Sequence, residues 1–273
     1  MIDFIKYIIL GFLQGVAEVL PISSSGHLAI TKVIMGIESE NLAFEVFLHM
    51  ASLIAVLLYL RKPIMSIVTG CFKFVFKKDK GYKFEFLYFL MLVVSTIPVV
   101  TFTVIIKLLG YDASPLYIIG ICLVINAIML FVLSRLSGNK TKEEMTFKDA
   151  VVIGIFQCVG VFPGISRSGS CLSGAFTRKI NKKDAADYAF MLFIPAVLGA
   201  FVLEASNISL IFNEDLKSLI CYFAAFLVSM VTTYFAFDIL LKAIKNGKLT
   251  YFSIYCTVVG ILTFIYSALN GWI

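Results

Sequence analysis

Long apolar segments recur along this chain, and they decide what kind of fold it can adopt. Each is long enough to cross about 30 Å of hydrocarbon as a helix. Hydrophobic residues make up 60% of the 273 residues and charged residues 15%, whereas soluble domains average about 45–50% and about 25%. We therefore predict an all-α polytopic membrane protein, with residues 1–273 forming a single integral membrane domain. The predicted crossings are 42–60, 84–109, 115–133, 185–203, 219–241 and 251–272.

The loops between these segments differ in their content of Lys and Arg, which indicates their side of the membrane. Basic loops stay on the cytoplasmic side, so the pattern predicts six full crossings with both termini outside. The net charge of +6 then reflects orientation and contact with anionic lipids, and no nucleic-acid partner is predicted. Basic loops occupy 61–83, 135–148, 178–183 and 242–248, and the others occupy 38–41, 110–114 and 204–217.

The segment 61–83 has a second property besides its charge. It carries seven basic residues around Phe72, Phe74 and Phe76. Aromatic and basic residues together are typical of a segment that lies in the interface of an anionic leaflet. We expect membrane lipids to be its partner.

Polar residues concentrate in one stretch, 11–27, which reads G-F-L-Q-G-V-A-E-V-L-P-I-S-S-S-G-H. A helix over 5–20 would place Gln14 and Glu18 one turn apart on the same face, and Pro21 would end it. The following Ser-Ser-Ser-Gly is predicted to form a loop whose N–H groups can hold an anion, with a second helix from about His27. A carboxylate surrounded by hydrocarbon has a high free-energy cost unless it is paired, so this stretch is a candidate site. The alternative is an N-capped loop beside a structural glutamate.

A second stretch repeats the first at one offset (154 − 11 = 143). Each half would then contain one re-entrant hairpin and three crossings, and because three is odd, the second half is inverted. We predict a first repeat over 1–135 with its hairpin at 1–37, and a second over 150–273 with its hairpin at 150–177. Inverted hairpins that meet near the midplane would enclose a cavity. The matching pairs are Gly11/Gly154, Gln14/Gln157, Val16/Val159, Ile22/Ile165, Ser23/Ser166, Ser25/Ser168 and Gly26/Gly169.

The residues of the two stretches suit phosphoryl transfer, which depends mainly on positioning and charge neutralisation. Arg167 offers a forked donor group for phosphate, although it could instead only neutralise Glu18. Opposite it, Ser24 is a candidate nucleophile, His27 a candidate acid or base, and Glu18 can hold a metal or orient a base. The predicted phosphate-binding residues are Arg167, Ser166, Ser168, Gly169, Ser23, Ser25 and Gly26.

A divalent cation, Mg²⁺ or Ca²⁺, is predicted at Glu18, possibly with Gln14. Substrate oxygens and water would complete its shell, whereas two histidines and six scattered cysteines argue against zinc. Residues of a second tier are Gln14, Glu45, His49 and Gln157. For Glu45 and His49, a mutually satisfying pair and a direct role are both open. Asn126 and Asp238 are interpreted as helix-packing or interfacial residues.

Three motifs resemble one known family. They are Q-x-x-x-E from Gln14, P-x-S-S-S-G-H from Pro21 and P-G-x-S-R-S from Pro163, and together they resemble the undecaprenyl-diphosphate phosphatases, the bacitracin-resistance proteins. The resemblance spans essentially the whole chain. Two departures concern Gln14, where many members have Glu, and Cys171, where the second motif usually ends in Thr.

The resemblance implies removal of the terminal phosphate from the diphosphate of the C55 lipid carrier. The reaction would take place at the outer face of the bacterial cytoplasmic membrane, with a divalent cation and with a long-chain prenyl diphosphate as substrate. A homodimer is possible. The implied core residues are Glu18, Ser24, His27 and Arg167.

Parts of the sequence also fit two rival functions. Inverted repeats and broken helices also occur in transporters, so a secondary transporter or lipid flippase is the alternative. A phosphatase with a histidine nucleophile would need a second histidine shortly after the Ser-Arg pair. Only Leu172 and Ser173 stand there, so that chemistry is excluded.

Overall fold

The computed structural model describes residues 2–37, 42–110, 114–136, 138–212 and 215–271. In these ranges the regular structure is helical, apart from one isolated bridge between Lys140 and Ile180. The helices are α1 Ile2–Val19, α2 Ser24–Ile34, α3 Leu42–Tyr59, α4 Arg61–Phe76, α5 Lys83–Leu108, α6 Leu116–Arg135, α7 Phe147–Val159, α8 Arg167–Thr177, α9 Lys182–Leu203, α10 Ala205–Ile211, α11 Leu216–Lys245 and α12 Leu249–Leu269.

Each predicted crossing coincides with one long helix. Among the described residues, α5, α6, α9, α11 and α12 are each long and apolar enough to span a membrane. α3 passes the same test together with α4, from which it is bent by 76°. The all-α, multi-span prediction is therefore confirmed. The predicted acidic turn at 38–41 and residues 111–113 of the next such loop lie outside the described residues.

The first helices of each half form hairpins whose open ends are closed by polar contacts. In the first hairpin, Lys6 Nζ donates to the carbonyl of Met35 at 2.6 Å, which ties the start of α1 to the end of α2. In the second, Arg178 Nε donates to Asp149 at 2.7 Å, which ties α7 to the end of α8. Both turns therefore lie at the far ends of their hairpins.

Asp149 closes the second hairpin through several partners. Lys140 also pairs with this buried carboxylate, and Thr146 donates to it from its backbone N–H and its hydroxyl. Burial by itself would raise the pKa of Asp149, but the hydrogen bonds from Lys140, Arg178 and Thr146 outweigh it and lower that pKa to about 2. The carboxylate thus stays ionised and keeps the base of the hairpin closed.

The second helix of each hairpin begins earlier than the sequence suggested. α2 begins at Ser24 and α8 at Arg167, so the prediction of a loop over these residues was wrong. The reason is N-capping: Ser23 Oγ accepts from the N–H of Gly26 at 3.3 Å, and Ser166 Oγ accepts from the N–H of Gly169 at 3.1 Å. The candidate nucleophile and the candidate phosphate holder are therefore each the first residue of a helix.

Small residues let the spanning helices approach closely. A Cβ on Gly120 of α6 would lie 2.9 Å from the carbonyl oxygen of Gly260 on α12, and one on Gly260 would lie 2.7 Å from that of Gly120. A larger residue at either position would force the two backbones apart. Such contacts are the usual means of packing helices in lipid, where no hydrophobic gain drives association.

Candidate active site

A hydrogen bond joins the two hairpin turns directly. Ser23 has φ 71°, a strained angle for a residue with a side chain, and its Oγ accepts from the N–H of Gly164 at 3.0 Å. Gly164 itself has φ 100°, which glycine adopts without strain. The two hairpins therefore meet at their turns.

Asn126 on α6 makes the second connection between the turns. Its Nδ2 donates to the carbonyl of Pro21 at 2.9 Å, and its Oδ1 accepts from the N–H of Ser166 at 3.0 Å. The side chain is completely buried. The sequence-based interpretation, a helix-packing or interfacial residue, missed this link to both turns. The available signal was a lone amide within an otherwise apolar crossing.

The carboxylate of Glu18 is the centre of the site. Its Oε2 accepts from Ser24 Oγ at 2.6 Å and from Gln14 Nε2 at 2.8 Å, and His49 Nδ1 lies 2.8 Å from the same oxygen. Its Oε1 accepts from Arg167 Nη2 at 2.5 Å. The structure thus brings three of the four predicted core residues together, along with His49 of the second tier.

Arg167 both pairs with Glu18 and reaches open space. Its guanidinium lies over the ring of Phe193, 4.5 Å from the ring centre, and 23% of its side chain is exposed. A guanidinium carries five N–H donors, so the bond to Glu18 leaves others for a ligand. Neutralising Glu18 and holding phosphate are therefore compatible roles.

A cavity of about 590 Å³ is lined by Glu18, Ser24, His49 and Arg167. Its volume is in the usual range for small-molecule sites. One wall is polar and includes Glu18, His49 and the first residues of α2 and α8. The other wall is apolar and comes from α5 and α9, with Val99, Val104 and Leu203 among its residues. A cavity with these two walls suits a ligand that has a polar and an apolar part.

The two helix starts give the polar wall a preference for anions. The first N–H groups of a helix have no partner within it and carry the positive end of its dipole. The N–H groups of Gly26 and Gly169 are engaged by the capping serines, so those of Ser24, Ser25, Arg167 and Ser168 remain as donors for phosphate oxygens. The Oγ atoms of Ser166 and Ser168 lie 3.0 Å apart on the same wall.

His27 does not line the cavity, and neither of its ring nitrogens bonds to Ser24 in the described residues. Its Nδ1 is 2.8 Å from the carbonyl oxygen of Ser23, and its Nε2 is 2.9 Å from the hydroxyl of Tyr255, with the two rings stacked. A role of His27 as acid or base stays a prediction. The imidazole that contacts Glu18 belongs to His49.

The remaining candidates fall outside this cluster. Glu45 pairs with Lys32 at 2.7 Å and not with His49, so the mutually satisfying pair is not what the structure contains. Gln157 is completely buried, and both of its polar side-chain atoms lack a hydrogen-bond partner within the described ranges. Asp238 accepts from Tyr59 at 2.9 Å at an exposed position, in line with an interfacial residue.

A divalent cation fits this site only in part. In the portion of the chain that the structure describes, no group of three or more His, Cys, Asp or Glu side chains could hold a metal. Next to Glu18, however, the buried Oε1 of Gln14 has no hydrogen-bond partner among the described residues. Glu18 and Gln14 together therefore offer oxygens to a cation that takes its other ligands from phosphate and water.

Residues 7–262 match the family described as bacitracin resistance protein BacA. The chain belongs to this family. It is 37% identical over 268 residues to an undecaprenyl-diphosphatase of Oceanobacillus iheyensis, with 96% of each chain covered. It is 34% identical over 263 residues to undecaprenyl-diphosphatase 2 of Bacillus thuringiensis, with 96% of this chain and 97% of the relative covered.

A relative from a third organism gives the same result. The chain is 36% identical over 282 residues to an undecaprenyl-diphosphatase of Methanosphaera stadtmanae, with 98% of this chain and 99% of the relative covered. The resemblance drawn from the three motifs is thereby confirmed, and the similarity extends over nearly the whole length of these relatives.

Proposed function

We propose that this protein hydrolyses undecaprenyl diphosphate to undecaprenyl phosphate and inorganic phosphate, and so recycles the lipid carrier and confers resistance to bacitracin. One observation carries the proposal: the hydroxyl of Ser24 and the guanidinium of Arg167 both donate to the carboxylate of Glu18, in a cavity with one apolar wall. The names of the BacA-family relatives specify the lipid.

In the proposed mechanism, Ser24 Oγ attacks the terminal phosphorus of the diphosphate. Glu18, 2.6 Å away, takes the hydroxyl proton while the bond from phosphorus to the bridging oxygen breaks and undecaprenyl phosphate leaves. Water then attacks the phosphoserine, Glu18 returns the proton to Ser24 Oγ, and inorganic phosphate leaves. A geometry of nucleophile, base and orienting groups supports this assignment, with Gln14 and His49 holding the carboxylate.

Charge neutralisation is the other part of the mechanism. Arg167 and the first N–H groups of α2 and α8 would bind the phosphate oxygens as negative charge moves to the bridging oxygen. A cation held by Glu18 and Gln14 would supply further neutralisation of the diphosphate. Both contributions depend on the exclusion of water by the apolar wall, because a low dielectric strengthens them.

Phosphate release from the purified protein in detergent tests the function. Undecaprenyl diphosphate should yield inorganic phosphate, and a chelator should lower the rate at least about tenfold until Mg²⁺ or Ca²⁺ is added back. A transporter or flippase would release none. Full activity in excess chelator would instead remove the cation from the proposal and leave the hydrolase in place.

For the architecture we propose two inverted repeats, each with a re-entrant hairpin. Contacts between helices support this. When each helix is replaced by its counterpart in the other half, the contact between α1 and α11 becomes the contact between α7 and α5. The contacts α3–α9 and α6–α12 each map onto themselves. The contacts that close the two hairpins also correspond: Asp149 lies 143 positions after Lys6, and Arg178 lies 143 positions after Met35. Both termini and the mouth of the cavity would then face outside.

Cysteine labelling tests this orientation in a variant without native cysteines. An impermeant reagent added to intact cells should label Lys217→Cys and should not label Lys80→Cys or Lys245→Cys, all three being exposed positions. Labelling of all three after the cells are opened is the control. Labelling of Lys80→Cys from outside would reverse the orientation and the direction in which both hairpins enter.

A further inference from the structure

A second hollow lies beside the catalytic cavity. This apolar groove has a volume of about 490 Å³ and runs between α4, α5 and α9. Aliphatic and aromatic side chains line it, and Thr96 and Thr101 are the only hydroxyl-bearing residues among the described residues of its lining. No charged side chain contributes to that lining, so the groove has nothing to hold a phosphate or an ion.

The groove adjoins the catalytic cavity, because Val100 of α5 and Leu198 of α9 line both. Along α5 the lining starts at Phe89 in the groove and ends at Val104 in the cavity, which is about 22 Å at 1.5 Å per residue. The hydrocarbon of a bilayer is about 30 Å thick. The two adjoining hollows together thus extend along α5 for a length comparable with most of the thickness of the apolar layer.

The groove and the catalytic cavity use overlapping stretches of α9. On α9, the catalytic cavity uses Ala196–Leu203 and the groove uses Met191–Leu198, so the groove extends away from the end of α9 that lines only the cavity. Its far end is formed by α4, which leaves the line of α3 at 76° and contributes Ile64, Ile67 and Val68.

We propose that the groove is the binding site for the prenyl chain of the lipid diphosphate, an inference that rests on the proposed function. A diphosphate held at Arg167 leaves its hydrocarbon chain at the apolar wall, and the groove is where that wall continues. Lipid tails are as apolar as the groove, so transfer from the bilayer gains little hydrophobic energy. The gain lies in close packing, which grows with the length of chain in contact. The groove therefore favours long chains over short ones.

The test narrows the far end of the groove and compares two substrates. Val93→Trp on α5 and Val68→Trp on α4 are suitable, because both side chains line the groove and not the cavity and are 43% and 56% exposed. For C55 prenyl diphosphate, KM should rise about tenfold while kcat stays near that of the wild type, as expected for lost ground-state binding. For the C15 compound, farnesyl diphosphate, whose chain ends sooner, kcat/KM should change less than about twofold.

Ile105→Trp is the matched control, since Ile105 lies on the same helix, is 48% exposed and lines neither hollow. It should leave both substrates unaffected. Unchanged C55 kinetics in both groove variants would overturn the inference and assign the groove to bulk lipid. So would an equal loss for both substrates in folded protein, because length selectivity is the claim. Failure of the wild type to release phosphate from either compound would instead refute the proposed function. If Val93→Trp fails to fold, Val68→Trp on the separate helix α4 decides.

Discussion

Replacing Ser24 by Ala is expected to lower phosphate release from undecaprenyl diphosphate by about 10³-fold or more, because the variant lacks the attacking oxygen. Binding of the lipid diphosphate should stay largely intact, since Arg167 and the first N–H groups of α2 and α8 do not depend on that hydroxyl. Initial rates and equilibrium binding of the labelled lipid, measured on the same preparation, separate the two effects.

A rapid acid quench of the wild type should also trap phosphate on Ser24. Ser134→Ala is the matched control: it deletes the same hydroxyl at a partly exposed position, where Ser134 donates to the carbonyl of Phe131 three residues earlier, and it should keep the wild-type rate. If Ser24→Ala retains most of the activity and no phosphoserine can be trapped, water is the attacking group. The hydrolase assignment would survive that result.

Replacing Arg167 by Lys is expected to lower turnover by about 10²-fold or more with the fold intact. Lysine keeps the positive charge, so the pairing with Glu18 can persist. An ammonium group, however, lacks the planar fork that lets the guanidinium contact Glu18 and phosphate oxygens together. Steady-state kinetics with the C55 substrate, together with a thermal unfolding curve, measure both parts of this expectation.

Arg178→Lys serves as the control for charge-conserving loss of a guanidinium. Arg178 donates to Asp149 at the base of the second hairpin, away from the cavity lining, so its replacement should leave turnover near the wild-type level. Near-normal turnover in Arg167→Lys would mean that Arg167 only balances the charge of Glu18. The phosphate would then have to be held by the helix starts and a cation.

Local features of the site followed from the sequence because they depend on neighbours along the chain. The spacing of Gln14 and Glu18 fixes their contact on one helix face, and the observed bond is 2.8 Å long. Ser23 and Ser166 act as N-caps, because the Oγ atom of each accepts from the N–H group three residues later. The helices that they cap begin earlier than the sequence pattern predicted. The long apolar helices were equally predictable, since a run of about 20 apolar residues suffices.

Contacts between distant parts of the chain were decided only by the tertiary structure. Arg167 reaches Glu18 across 149 positions of sequence, and His49 reaches it from α3, where spacing alone suggested Glu45 as its partner. His27, placed beside Ser24 by proximity in sequence, points to Tyr255, 228 positions away. Helical periodicity determines which face of its own helix a side chain occupies. Which helix packs against that face depends on how all the crossings fit together, and no stretch of the sequence contains that information by itself.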